Sequence, residues 1–194
     1  MALPVLVQQG PVEPDLTKTV VINRTASIVD EDGRKALRLD ERPGDGVAWL
    51  ENLQFTNGVI EIELKGRDVL QRSFLGVAFR GLGDKTYDAV YFRPFNFRAD
   101  DPERRSHAVQ YISHPTYTWN KLRAEKPGLY EKPITPPPDP NGWFRARIVI
   151  EKPKVSVFVN GAVQPSLADS RNECVFASEC GCDNWSNFRF GALC

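Results

Sequence analysis

The sequence predicts an all-β chain folded as a two-sheet antiparallel β-sandwich of the jelly-roll kind, with one short helix. Three observations carry this expectation. Apolar and polar residues alternate with period two in short runs, and Gly, Pro, Asn and Asp bound those runs. No long segment spaces its apolar residues three and four apart, as an amphipathic helix would. A chain of 194 residues with 41% hydrophobic residues has the size that all-β sandwiches commonly reach as one unit. The expected organisation is a single domain over residues 1–194 that ends in a cysteine-rich segment, 172–194.

The elements follow in order. Thr19 to Ile22 is short and β-branched, which suits a pleated strand. Lys35 to Leu39 alternates, and Gly46 to Leu50 follows the turn residues Pro43, Gly44 and Asp45. Gly58 to Lys65 sets Ile60, Ile62 and Leu64 on one face and Val59, Glu61 and Glu63 on the other. Ser73 to Arg80, Thr86 to Arg93 and His107 to Ser113 are the next three strands. Trp143 to Glu151 and Val155 to Asn160 flank Lys152-Pro153-Lys154, a hairpin turn, and Trp185 to Phe190 closes the series. The one helix is placed at Thr118 to Lys126, with Thr118 as N-cap and Pro127-Gly128 as the stop. Pro133 to Pro140 cannot continue a ladder, because proline lacks the amide donor. It reads as a stiff loop across the sandwich, since strands of one character lie on both sides.

Charge excludes some partners. Lys and Arg number 25 and Asp and Glu number 25, so no excess points to nucleic acid or to an anionic membrane. No run approaches the roughly 18 apolar residues of a membrane span. The opening MALPVLVQQG has neither the basic start nor the apolar length of a signal peptide. Cys174, Cys180, Cys182 and Cys194 cluster at the end of the chain without the paired spacing of structural zinc sites, which favours local disulfides or free thiols. Asn23-Arg24-Thr25 and Asn184-Trp185-Ser186 fit the glycosylation pattern. There is no serine nucleophile elbow, HExxH, P-loop or GxGxxG. No cofactor is expected. Calcium is the one metal that the loops at Asp100-Asp101 and Gly83-Asp84 could take, although exposed acidic loops are usually only solvated.

Two groups of residues invite a chemical reading. Glu61 and Glu63 stand two apart, so their carboxylates share a face, and retaining glycosidases use a carboxylate pair about 5 Å apart. Lys65 and Gly66 follow where a β-sandwich glucanase carries a third acid, and the plainer reading is a solvated strand face. The richer stretch runs from Tyr91 through Arg98 and from Arg104 through Trp119, and it holds both histidines of the chain. Gln110, Ile112 and His114 share one parity, and His107, Val109 and Tyr111 the other. Aromatic rings beside Arg, Asn, Gln and His suit a sugar: the rings stack on its C–H face and the polar groups bond its hydroxyls. The alternative is that Tyr91, Phe92, Phe95 and Phe97 are packing, with Arg93 and Arg98 paired to Asp100, Asp101 or Glu103.

GVAWLENLQFTNGVIEIELKG, SFLGVAFRG, TYDAVYFRPFNFR, RRSHAVQYISHPTYTWNKLR and WFRARIVIEKPKVSVFVNG together resemble the concanavalin A-like lectin/glucanase superfamily. Within it the chain is similar to LamG-like proteins close to the 3-keto-disaccharide hydrolase family, clearest at Val109-Gln110-Tyr111, with Ala108 in the place of that family's acidic residue. The resemblance implies a jelly roll whose concave face or rim binds carbohydrate in an extracellular or periplasmic setting; the lack of a signal peptide leaves a cytoplasmic one open. The expected contacts are Arg80, Tyr91, Arg93, Asn96, Gln110, Tyr117 and Trp119. Arg93, Asn96 and Gln110 would bond hydroxyls, Tyr117 and Trp119 would stack, and His114 would be the acid/base of any chemistry. The leading expectation is a carbohydrate-recognising module. A glycoside hydrolase or lyase acting on a plain or 3-keto sugar is the second, and a structural or protein-interaction domain the third.

Overall fold

The computed structural model describes residues 10–169 and 189–193. The larger sheet contains β1 (Thr19–Ile22), β4 (Val47–Gln54), β6 (Leu75–Gly81), β7 (Tyr87–Phe92), β8 (Val109–His114), β9 (Glu131–Lys132) and β13 (Arg189–Leu193). Its order is β1-β4-β13-β6-β7-β8-β9. The smaller sheet has β5 (Gly58–Lys65), β10 (Trp143–Glu151), β11 (Lys154–Val159) and β12 (Leu167–Asp169), in the order β12-β11-β10-β5. Every pairing is antiparallel. The proline-rich run after β9 carries the chain from the edge of the larger sheet to β10 in the smaller one, as a stiff loop should.

Alternation decides what each strand buries. On β10, Phe144, Ala146, Ile148 and Ile150 are buried, while Arg145, Arg147 and Glu151 are exposed. Phe92 and Phe97 meet Phe144 edge-on, with centroids 5.1 and 5.2 Å apart, which joins the two sheets through one aromatic cluster. β7 is different: all six of its residues are buried. Val90 and Phe92 lie opposite Tyr111 and Val109 on the inner face, and Ala89 and Tyr91 lie opposite Ile112 and Gln110 on the outer one. The outer face of this central strand is therefore covered as well, which alternation alone does not reveal.

Three findings depart from the expected elements. A hairpin, β2 (Ala26–Glu31) and β3 (Arg34–Leu39), forms a two-stranded sheet of its own, of which only the second strand was expected. Its turn, Asp32-Gly33, has positive φ at both residues (56° and 73°), as a tight two-residue hairpin turn demands. Its tip reaches the smaller sheet, where Asp32 accepts from Lys65 at 2.7 Å and from the Trp143 indole at 3.0 Å. Secondly, the described residues hold two short α-helices, not one. The expected one is α2 (Trp119–Glu125); the other is α1 (Pro102–Ser106), whose Asp101 N-cap accepts from Glu103 N at 2.9 Å. Thirdly, the last described strand, Arg189–Leu193, runs past the expected end at Phe190. The four cysteines, the Asn184 sequon and residues 185–188 of the expected strand lie outside the described residues. Asn23, of the other sequon, donates its side-chain amide to the carbonyls of Pro43 and Asp45, both at 3.0 Å, and so ties the hairpin base.

Candidate functional site

The register of β7 with β8 builds the site. Tyr87 pairs with His114, Ala89 with Ile112 and Tyr91 with Gln110, so these side chains form rows on the outer face of the larger sheet. A long open groove, which also runs along β3 and β5, borders this face. Tyr87, Tyr91, Ile112 and His114 line its floor, and Arg93, Asn96, His107, Trp119 and Arg123 line it as well.

Arg93 anchors the polar part. It follows β7 and is 6% exposed. Its Nη2 donates to the Tyr91 hydroxyl at 2.7 Å and to Gln110 Oε1, and its Nη1 donates to the His107 carbonyl at 2.9 Å. The Tyr91 hydroxyl in turn donates to Gln110 Oε1 at 3.1 Å. Two donors converge on one atom of the Gln110 amide, so that atom is the oxygen and the other is Nε2. Gln110 is fully buried, and Nε2 has no partner among the described residues. Burial pushes the Tyr91 hydroxyl up to about 12 and lowers the Arg93 guanidinium. Tyr91 is thus a neutral donor at ordinary pH.

A second layer stands behind Arg93. Glu131, 3% exposed on the edge strand β9, accepts from Arg123 Nε at 2.7 Å and Nη2 at 2.6 Å, a bidentate pair. The same carboxylate lies 2.9 Å from His107 Nδ1, and the other ring nitrogen of His107 is 3.1 Å from Glu103 Oε1. Hydrogen bonding to Glu131 raises the Arg123 guanidinium. Arg123 also covers one face of Trp119, 5.0 Å from the ring, and leaves that indole 47% exposed. Asn96 braces the loop: its Nδ2 donates to His107 O and its Oδ1 accepts from Arg104 Nε, both at 3.4 Å.

His114 occupies another part of the groove. It stacks on Tyr87 with centroids 5.1 Å apart and planes 7° apart. Desolvation lowers its pKa, with nearby Asp45 opposing the shift, so the ring is neutral at pH 7. Gln110 and His114 share a face four residues apart, a separation of roughly 13 Å along the strand. They stand on one face of the strand but do not touch, and only His114 lines the groove.

Of the residues expected from the sequence, Tyr91, Arg93, Asn96, His114 and Trp119 line this groove, and Gln110 is fixed directly behind it. Two sit elsewhere. Arg80 has a positive φ of 53° and donates to Thr56 O at 3.1 Å, to Asn57 Oδ1 at 3.1 Å and to Asp88 at 3.3 Å, with no side-chain exposure. Its backbone turns the guanidinium into the interior, so it holds β6 and β7 to the start of β5. Tyr117 exchanges backbone hydrogen bonds with Ser113 at 2.7 and 3.0 Å and packs against the core, so it braces the β8 turn. Phe92, Phe95 and Phe97 are buried packing residues.

The sequence reading missed His107, Arg123 and Glu131 as partners of the site. His107 precedes β8 and caps α1, so strand parity does not govern it. Glu131 carries no periodic signal, because a two-residue strand has no pattern to read. Glu61 and Glu63 lie on the outer face of the smaller sheet, where Arg145 bonds Glu61 and Arg34 bonds Glu63 at 3.2 Å. Among the described residues no group of three or more His, Cys, Asp or Glu could hold a metal.

No protein-family model and no curated protein matches the chain. A protein of unknown function with a galectin-like fold from Bacillus subtilis is similar in structure, with a TM-score of 0.49 and 13% identity over 92% of this chain and 83% of that one. The chain is an antiparallel β-sandwich. Its own sheets, antiparallel throughout, make it so.

Proposed function

We propose that this protein is a carbohydrate-recognising β-sandwich module whose site is the groove beside Arg93. The observation that carries the reading is a half-exposed aromatic residue, Trp119, that lines one groove with Arg93 and rests on Arg123, whose carboxylate partner Glu131 also pairs with Arg93. A sugar offers an apolar C–H face and a ring of hydroxyls, so an open aromatic platform next to oriented polar groups suits it. The donors are held by one another and lose little freedom on binding. The resemblance to concanavalin A-like lectins supports the same reading. A thermal-shift screen against neutral and acidic oligosaccharides tests it: a sugar-dependent rise in Tm is expected. A flat response to the whole panel, together with a defined protein partner, would select an interaction domain instead.

A second reading rests on His114. A neutral, half-buried imidazole facing a groove can take a proton from a bound substrate. The resemblance to 3-keto-disaccharide hydrolases supports a glycoside hydrolase or lyase acting on a plain or 3-keto sugar. Turnover of 3-keto-glucosides that disappears in a folded His114→Ala protein would establish it, and absence of turnover in the wild type would dismiss it.

A further inference from the structure

Arg93 is a buried cation without a counter-ion of its own. Its hydrogen bonds go to three neutral oxygens: the Tyr91 hydroxyl, Gln110 Oε1 and the His107 carbonyl. Glu131 is the one carboxylate that pairs with it among the described residues, at 3.8 Å. That carboxylate is already held bidentately by Arg123 and lies against His107. Two guanidinium charges thus share one carboxylate. Burying a charge is costly unless it is paired at close range, and the pairing here is incomplete. Beside it, Gln110 Nε2 is buried with a hydrogen to donate and nothing to receive it. Arg104 adds a third guanidinium to the same stretch of groove wall.

We infer that the saccharide bound in this groove carries a carboxylate, as a uronic acid residue does, and that Arg93 is its seat. The inference rests on the carbohydrate reading and sharpens it. A carboxylate can accept from the Arg93 N–H groups that these contacts leave free, on Nε and Nη1, and such charge-assisted hydrogen bonds are the strong ones. It also supplies the negative charge that Glu131 divides among its partners. Neutral hydroxyls would satisfy donors but not the charge.

The test compares matched ligands by calorimetry: oligogalacturonates or oligoglucuronates of two to four residues against the same oligomers with carboxyls reduced to alcohols. Wild-type protein is expected to bind the acid form at least about tenfold more tightly. Gln110→Glu places a carboxylate of nearly the same shape beside Arg93. This variant is expected to melt higher than wild type and to lose most of the preference for the acid over the reduced form. Equal wild-type binding of both forms overturns the inference and leaves the carbohydrate reading standing. Binding of neither overturns both. Equal binding of a sulfated neutral oligomer overturns the carboxylate assignment in favour of any oxyanion. The wild-type comparison needs no variant, so a Gln110→Glu protein that fails to fold does not rescue the idea.

Discussion

Arg80 meets Asp88 at 3.3 Å with neither side chain exposed, and this pair fixes one end of the β6–β7 ribbon from its inner face. The two residues lie on strands that pair through Phe79 and Asp88. The positive φ at Arg80 brings its side chain to the inner face, where it also reaches the β4–β5 connection at Thr56 and Asn57. The interaction is structural. Breaking a buried pair from one side leaves a charge in the interior, so Asp88→Ala is expected to cost about 3–5 kcal/mol in urea unfolding. A loss under about 1 kcal/mol would contradict this role.

Gly76 lies directly opposite Tyr91 across β6 and β7. A Cβ there would stand 2.1 Å from the Val90 carbonyl oxygen and 2.6 Å from Tyr91 Cα. Both are backbone atoms and cannot step aside. Gly76→Ala should therefore destabilise the protein by about 1–3 kcal/mol through overpacking. It should also weaken sugar binding, because Tyr91 is displaced from Arg93. Unchanged unfolding and binding would show that the ribbon is looser than this register requires.

Trp119 offers the opposite case. Trp119 is 47% exposed and rests on Arg123, outside the core cluster, so Trp119→Ala leaves core packing intact. Stability should change by less than about 1 kcal/mol, while affinity for a bound oligosaccharide should fall at least about tenfold. Binding that survives the substitution would remove Trp119 from the site.

His114 sets a pH dependence. Desolvation lowers its pKa in the folded protein below the ordinary histidine value of 6.5. The unfolded chain therefore takes up a proton first as pH falls, and the folded state is progressively disfavoured from pH 6.5 down to the folded pKa. His114→Phe keeps a ring over Tyr87 and abolishes the titration. The Tm of wild type relative to this variant should fall as pH is lowered from 7 to 5. A difference that stays flat over that range would mean that His114 is not desolvated.

Much of the fold is legible from local pattern. The alternation in β5 and β10 and the turn at Lys152-Pro153 each specify a strand or hairpin from residues that are neighbours in the chain. The β2–β3 hairpin was legible too, since Asp32-Gly33 is a tight-turn signal, although β2 was missed for its weak alternation. The site is less legible. Tyr91, Arg93 and Gln110 stand out because polar groups on an apolar strand need partners. Arg80 shows the same composition and lies in the interior, because one left-handed residue reverses the face it occupies.

The sequence by itself determined the class of fold and the strand on which the polar residues stand, because side-chain alternation and turn chemistry act over a few neighbouring residues. Only the tertiary structure decided which cations share a counter-ion. Arg93, Arg123, His107 and Glu131 come from a loop, a helix, a helix end and an edge strand, and they meet through antiparallel registers that join distant parts of the chain. Charge balance at that point is a sum over space, and no local pattern contains it.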